Sequence, residues 1–163
     1  KLRSKLARLN IGNPPCQPFS PVMERISGKT IHMTSGCFTP FGGSFMVGTQ
    51  PDGITEFSLD FDVYGCMWHL TTRSGLRETI RVSTGGTRFT NLLGKLSDWN
   101  QLYRCDGWWP EENVFQMHCR WLETCLEDVF TLTFDGDEVR IDATNNSPFR
   151  SFEKNEPIRA VVE

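Results

Sequence analysis

A serine three residues ahead of a lysine can place a nucleophile beside its base, and the chain shows that pattern at Ser151 and Lys154. The pairing needs a turn of continuous helix, whereas Asn155-Glu156-Pro157 follows at once and opposes one. The S-D-N and K-T-G segments that complete such a site are absent as well, so no catalytic residue is assigned.

Metal binding needs clustered donors, but His32, His69 and His118 are far apart and the six cysteines contain no C-x-x-C. His118 and Cys119 are neighbours on a strand pattern, which sends them to opposite faces. Surface histidines and core cysteines are therefore expected, with no metal and no cofactor. The carboxylates Asp60, Asp62, Glu123, Glu127, Asp128, Asp135, Asp137 and Glu138 lie in or beside turns or on the polar side of strands, and read as solvated charge rather than an acid and base pair. Gly42-Gly43 and Gly85-Gly86 lack the lysine and helix of a phosphate loop. Asn145-Asn146-Ser147 has the form of a glycosylation acceptor but is followed by Pro148, with no secretion signal to support it.

Tryptophan carries more information. Trp99, Trp108, Trp109 and Trp121 are concentrated in the C-terminal half, and the consecutive pair Trp108-Trp109 cannot face one core from one strand. One of the two is expected at the surface or an interface, where an indole can dock a partner domain or stack on a sugar ring. Both are interface candidates.

The elements that would position these residues are strands. In 114–143, Phe115, Met117, Cys119 and Trp121 alternate with Gln116, His118 and Arg120, and Phe130, Leu132 and Phe134 alternate with threonines. Asp135-Gly136-Asp137 then supplies a hairpin turn before Val139, Ile141 and Ala143. Upstream, Phe57, Leu59, Phe61 and Val63 alternate, as do Cys66, Trp68 and Leu70, and Ser74-Gly75 and Gly85-Gly86 punctuate further strands. A first strand is expected within 23–34, another over 87–93, and one over 102–109 that stops at Pro110. The predicted fold is all-β: a single antiparallel up-and-down barrel of about eight strands, lipocalin-like, its neighbours paired in sequence order. Phe57, Phe61, Trp68, Phe115, Phe130 and Phe134 are its interior, as core or as the lining of a ligand cavity.

Around this barrel, assigned to residues 22–146, the flanks read differently. Leu2, Leu6 and Leu9 suit a short amphipathic helix, and the prolines of 12–21 suit an extended linker. The glycine-rich and phenylalanine-rich stretch 35–53 reads as a long loop whose Phe38, Phe41 and Phe45 cover one end of the core. Residues 147–163 read as an irregular tail.

A chain of 163 residues suits one domain able to bury a core without staples, so its cysteines are expected to be free thiols. A net charge of −3 gives no footprint for nucleic acid or anionic membranes. No apolar run approaches the ~20 residues that span a bilayer. The opening KLRSKLARLN lacks the apolar core of a signal peptide, and the absence of an initiating methionine fits a fragment. Together with free thiols, this favours a cytoplasmic setting.

Three stretches, ISGKT at 26–30, GITEFSLDFD at 53–62 and WLETCLEDVFTLTFDGDEVRI at 121–141, together resemble the C-terminal lipocalin-like accessory domain of bacterial class C β-lactamase-like, penicillin-binding-protein-related serine hydrolases. The resemblance covers roughly residues 1–145, including the helix and proline linker that join the two domains of that family. The phenylalanine and glycine loop of 37–48 and the six cysteines depart from it. It implies a non-catalytic barrel that docks on the catalytic domain of the same parent chain and shapes substrate access. The family's catalytic residues belong to the preceding domain and correspond to no position here. The residues themselves leave two alternatives: a lipocalin-like barrel for a small apolar ligand, and a carbohydrate-binding module built on Trp108 and Trp109.

Overall fold

Strand after strand places apolar side chains at every second position, so each strand offers one face to a core and one to solvent. The computed structural model of the chain describes residues 17–38, 53–85, 89–93, 101–124, 126–146 and 158–163. Within them a one-turn helix, α1 (Val22–Ile26), precedes ten strands: β1 (Thr30–Ser35), β2 (Ile54–Phe61), β3 (Gly65–Thr72), β4 (Arg77–Ser83), β5 (Asn91–Leu93), β6 (Gln101–Glu111), β7 (Val114–Trp121), β8 (Glu127–Asp135), β9 (Glu138–Asn145) and β10 (Ile158–Val162).

The strands form one sheet in the order β4-β3-β2-β1-β10-β9-β8-β7-β6-β5, and a further pairing of β4 with β6 closes nine of them into a barrel. The all-β barrel is as expected, but three details are corrected. The wall has nine strands plus the appended β5, not about eight. It is not wholly antiparallel, because strands that alternate in direction around a ring cannot close an odd number without one parallel pair. That pair is β4 and β6, through Val82 with Cys105 and Ser83 with Asp106. The chain reverses twice between them, because β5 leaves the wall to pair antiparallel with β6 from Asn91 and Tyr103 to Leu93 and Gln101. The Asn91 side chain fills the resulting gap, accepting from the Arg81 backbone N–H at 2.7 Å and donating to the Arg81 carbonyl at 3.0 Å.

Neighbours are not all consecutive in sequence either. The expected irregular tail contains β10, which enters between β1 and β9, antiparallel to both. Its Ile158, Ala160 and Val162 point inward and are buried. Without it, β1 and β9 would each present an unpaired edge, which a sheet protein must cover or close.

Two local expectations also shift. Of the stretch 23–34 in which a first strand was expected, residues 23–26 belong to α1 and the strand itself starts at Thr30; Ile26 is fully buried. β6 runs through Pro110 rather than stopping there. The β6–β7 register slips between Trp108 and Glu111, so the missing proline N–H falls at an irregularity and costs no ladder bond. On its other edge β6 bridges to Gln17, whose N–H donates to the Trp109 carbonyl at 3.3 Å and whose carbonyl accepts from the Trp109 N–H at 3.0 Å. The end of the expected linker thus joins the sheet.

α1 lies across one end of the barrel, where the β6–β7 and β8–β9 turns sit. The Ser20 hydroxyl donates to the Glu112 carbonyl, the Arg25 guanidinium donates to the Gly136 carbonyl, and the Phe61 N–H donates to the Ser27 hydroxyl at 3.0 Å. The Gly136 turn has the expected left-handed residue, with φ of 58°. At the opposite end, Ile54 opens β2 by donating to the Phe38 carbonyl at 2.9 Å. The amphipathic segment 1–10, Pro14, Pro15, Cys16, Phe41, Phe45, Trp99, Cys125 and the pair Ser151 and Lys154 lie outside the described residues.

Candidate functional site

All six interior candidates do face into the barrel, in two layers of rings. Near α1, Phe115 meets Phe61 edge to face at 5.3 Å and Trp109 at 4.9 Å, and Trp109 reaches Phe134 at 6.0 Å. Toward the far end, Trp68 meets Phe130 at 5.3 Å and Phe57 at 6.3 Å. These separations are those of favourable aromatic contact, so the rings fill the space between them. The far layer has a fourth member from outside the strands: Phe38 lies nearly parallel to Trp68 at 5.9 Å, and 5.3 Å from Phe130.

The interior also holds polar groups that the sequence reading placed elsewhere. One register row across β9, β8, β7 and β6 carries Asn145, Asp128, Cys119 and Cys105. Asp128 is 4% exposed and faces inward, not into solvent as expected. Its carboxylate accepts from the Trp121 indole N–H at 3.3 Å and from the Asn145 side-chain amide. The Tyr103 ring meets Trp121 edge to face at 5.8 Å. The signal for this cluster was legible: Asp128 precedes Phe130 by two residues, and Tyr103, Cys105 and Trp109 share one period of two. Among the described residues, the buried indole nitrogens of Trp68 and Trp109 have no hydrogen-bond partner.

The tryptophan pair is corrected as well. Trp109 is 1% exposed within the ring layer near α1. Trp108 takes the outer face but is only 5% exposed, its ring 4.6 Å from that of His118. Neither presents the open indole face that stacking on a sugar requires, so the geometry does not favour the carbohydrate reading.

The outer wall brings each histidine beside a carboxylate. His118 meets Glu127 at 2.9 Å, His69 meets Asp60 at 3.3 Å, and His32 meets Glu56 at 3.5 Å. Among the described residues, no three histidine, cysteine or carboxylate side chains come together as metal ligands would. Two clefts of about 330 and 530 Å³ also lie on the outer wall, one beside His69 and Arg77, the other beside Arg140 and Arg159.

Burial sets the chemistry of the interior thiols. Loss of solvent, reinforced by Asp60 and Asp62, pushes Cys66 well above the ordinary thiol range. Cys105 is raised first by burial and then by its contact with Cys119, and the Tyr103 phenol is raised by burial and by the cysteines beside it. These groups stay protonated in the fold and are poor nucleophiles. In the unfolded chain a thiol ionises near pH ~8.5 and a phenol near ~10. Between those values and the higher folded ones, the native state holds more protons, so stability falls as pH rises. The urea midpoint is therefore expected to hold steady from pH 6.5 to 8 and then decline, with each such group contributing up to ~1.4 kcal/mol per pH unit. Cys66→Ala should flatten that decline. A wild-type midpoint unchanged up to pH 10.5 would contradict it.

No family model matches the chain, and no curated protein matches it. Among solved structures it is similar to the REP1-NXSQ fatty acid transporter, at 12% sequence identity, over 84% of this chain and 93% of that one, with a TM-score of 0.50. At that identity the likeness concerns the fold. The class is thus a closed, mostly antiparallel β-barrel, and it is in this fold that the two proteins are alike.

Proposed function

We propose that the barrel binds a small apolar ligand at the end opposite α1, in the place now taken by the ring of Phe38. The observation that carries this reading is Phe38 itself. It belongs to no strand, yet it is buried against Phe57, Trp68 and Phe130 as a flat apolar guest would be. Beside it, the Trp68 indole N–H has no acceptor among the described residues and stands ready to donate to one on a ligand. The likeness to a barrel that transports fatty acids supports the same reading.

The test is titration with the neutral fluorophore N-phenyl-1-naphthylamine, with a long-chain alcohol and a fatty acid as competitors. Phe38→Ala removes the competing ring and should tighten probe binding about tenfold, equivalent to ~1.4 kcal/mol. Displacement of the probe by either competitor would show that the site accepts a long-chain apolar ligand. If neither wild type nor Phe38→Ala binds the probe, the ligand reading fails.

A second reading keeps the chain as a non-catalytic accessory barrel docked on a β-lactamase-like catalytic domain; it asks only for a filled interior, and near α1 the rings of Phe61, Trp109, Phe115 and Phe134 pack on one another. A barrel that only docks can be filled throughout, so absence of probe binding by both proteins is the outcome it expects.

A further inference from the structure

The interior sulfurs carry an inference independent of any ligand. Cys105 on β6 and Cys119 on β7 are direct register partners, both face inward, and both are fully buried. Directly opposed residues of antiparallel strands have Cα atoms about 4.5 or 5.5 Å apart, inside the roughly 4.4–6.8 Å window that a disulfide spans. Their Sγ atoms lie 2.7 Å apart, closer than two unbonded sulfurs rest and within a small rotation of the ~2.05 Å bond. Other described thiols are placed differently. Cys66 follows Val82 in the same row, so it lies two strand spacings from Cys105, about 10 Å, which is beyond reach without backbone movement. Cys37 is exposed on the segment that follows β1.

We propose that Cys105 and Cys119 form a specific cross-strand disulfide when the chain folds in the presence of a low-molecular-weight disulfide such as oxidised glutathione. The thiolate of one cysteine attacks glutathione disulfide and releases one glutathione, and the sulfur of the other then attacks the mixed disulfide and releases the second. Two S–H bonds and one S–S bond are exchanged for one S–S bond and two S–H bonds. The protein pair gives up two electrons and glutathione disulfide takes them. Because both sulfurs are sealed inside the finished barrel, the exchange belongs to the folding chain, before the β4–β6 seam closes over them. The bond then ties β6 to β7 in the row that holds Asp128 and next to Tyr103.

The test uses the full wild-type chain, unfolded in urea and refolded in a mixture of oxidised and reduced glutathione. The folded monomer is then alkylated in denaturant and digested with trypsin. Arg104 and Arg120 bracket both cysteines, so the peptide 105–120 reports on the pair alone. It should carry no label in most molecules and be about 2 Da lighter than its reduced form, and reduction should then admit two labels. Two labels in that peptide from the folded monomer, or a predominance of glutathione adducts or of links to other cysteines, would overturn the assignment. The oxidised chain should also melt higher than the reduced one, by on the order of 5–10 °C for a loop this short, and the C105A/C119A variant should show no such redox dependence. An oxidised chain that melts lower than the reduced one would equally count against it.

Discussion

Replacing Gly65 with alanine is expected to cost more than ~3 kcal/mol of stability. Gly65 opens β3 opposite Ser83, and a Cβ there would stand 2.2 Å from the carbonyl oxygen of Val82. That obstacle is backbone, so no side-chain rotation relieves it, and β4 itself would have to retreat. Val82 also pairs with Cys105 across the parallel seam, so a shift that relieves the clash loosens barrel closure. Urea denaturation followed by circular dichroism measures the loss. Tyr64→Ala, at the exposed neighbouring position, serves as the control and should change stability by no more than ~0.5 kcal/mol. A Gly65→Ala protein within ~1 kcal/mol of wild type would show that the seam yields more easily than its geometry implies.

The second large effect is expected at Trp109. Truncation to alanine empties the centre of the ring layer near α1, removing contacts with Phe61, Phe115 and Phe134, and should cost about 3–5 kcal/mol. Trp109→Phe should recover at least half of that, because it keeps a ring in the layer and removes an indole N–H that has no acceptor among the described residues. Urea midpoints of the two variants provide the comparison, with a loss below ~1.5 kcal/mol for the alanine variant as the contrary result. Since Trp108 and Trp109 are adjacent in sequence but lie on opposite sides of the wall, Trp108→Ala addresses a different environment, the contact with His118.

The correction at this pair shows where sequence reasoning stopped short. Alternation established that Trp108 and Trp109 face opposite ways, and they do. It did not establish exposure, because a residue pointing out of a barrel can still be covered. For Asp128 the failure was of another kind. The alternation of Phe130, Leu132 and Phe134 extends back to it, but its charge suggested solvent, and the Trp121 and Asn145 side chains that donate to it come from other strands. Phe38 was expected to cover one end of the core, and it does so as the fourth member of a ring cluster.

What the sequence by itself determined is local: the period of two that sorts each strand into an inner and an outer face, the turn at Asp135-Gly136-Asp137, and the six aromatic residues that meet inside. These follow from pleat geometry and backbone sterics acting over a few residues, so they can be read without knowing the partner strands. What only the tertiary structure decided is how the ring closes. The entry of Ile158–Val162 between the first and ninth strands, the parallel seam between Val82 and Cys105, and the row that brings Cys105, Cys119, Asp128 and Asn145 together all join segments distant in sequence. Edge strands must find partners and an odd ring must hold one parallel pair. Those conditions bind the whole sheet at once, and no single stretch of residues records them.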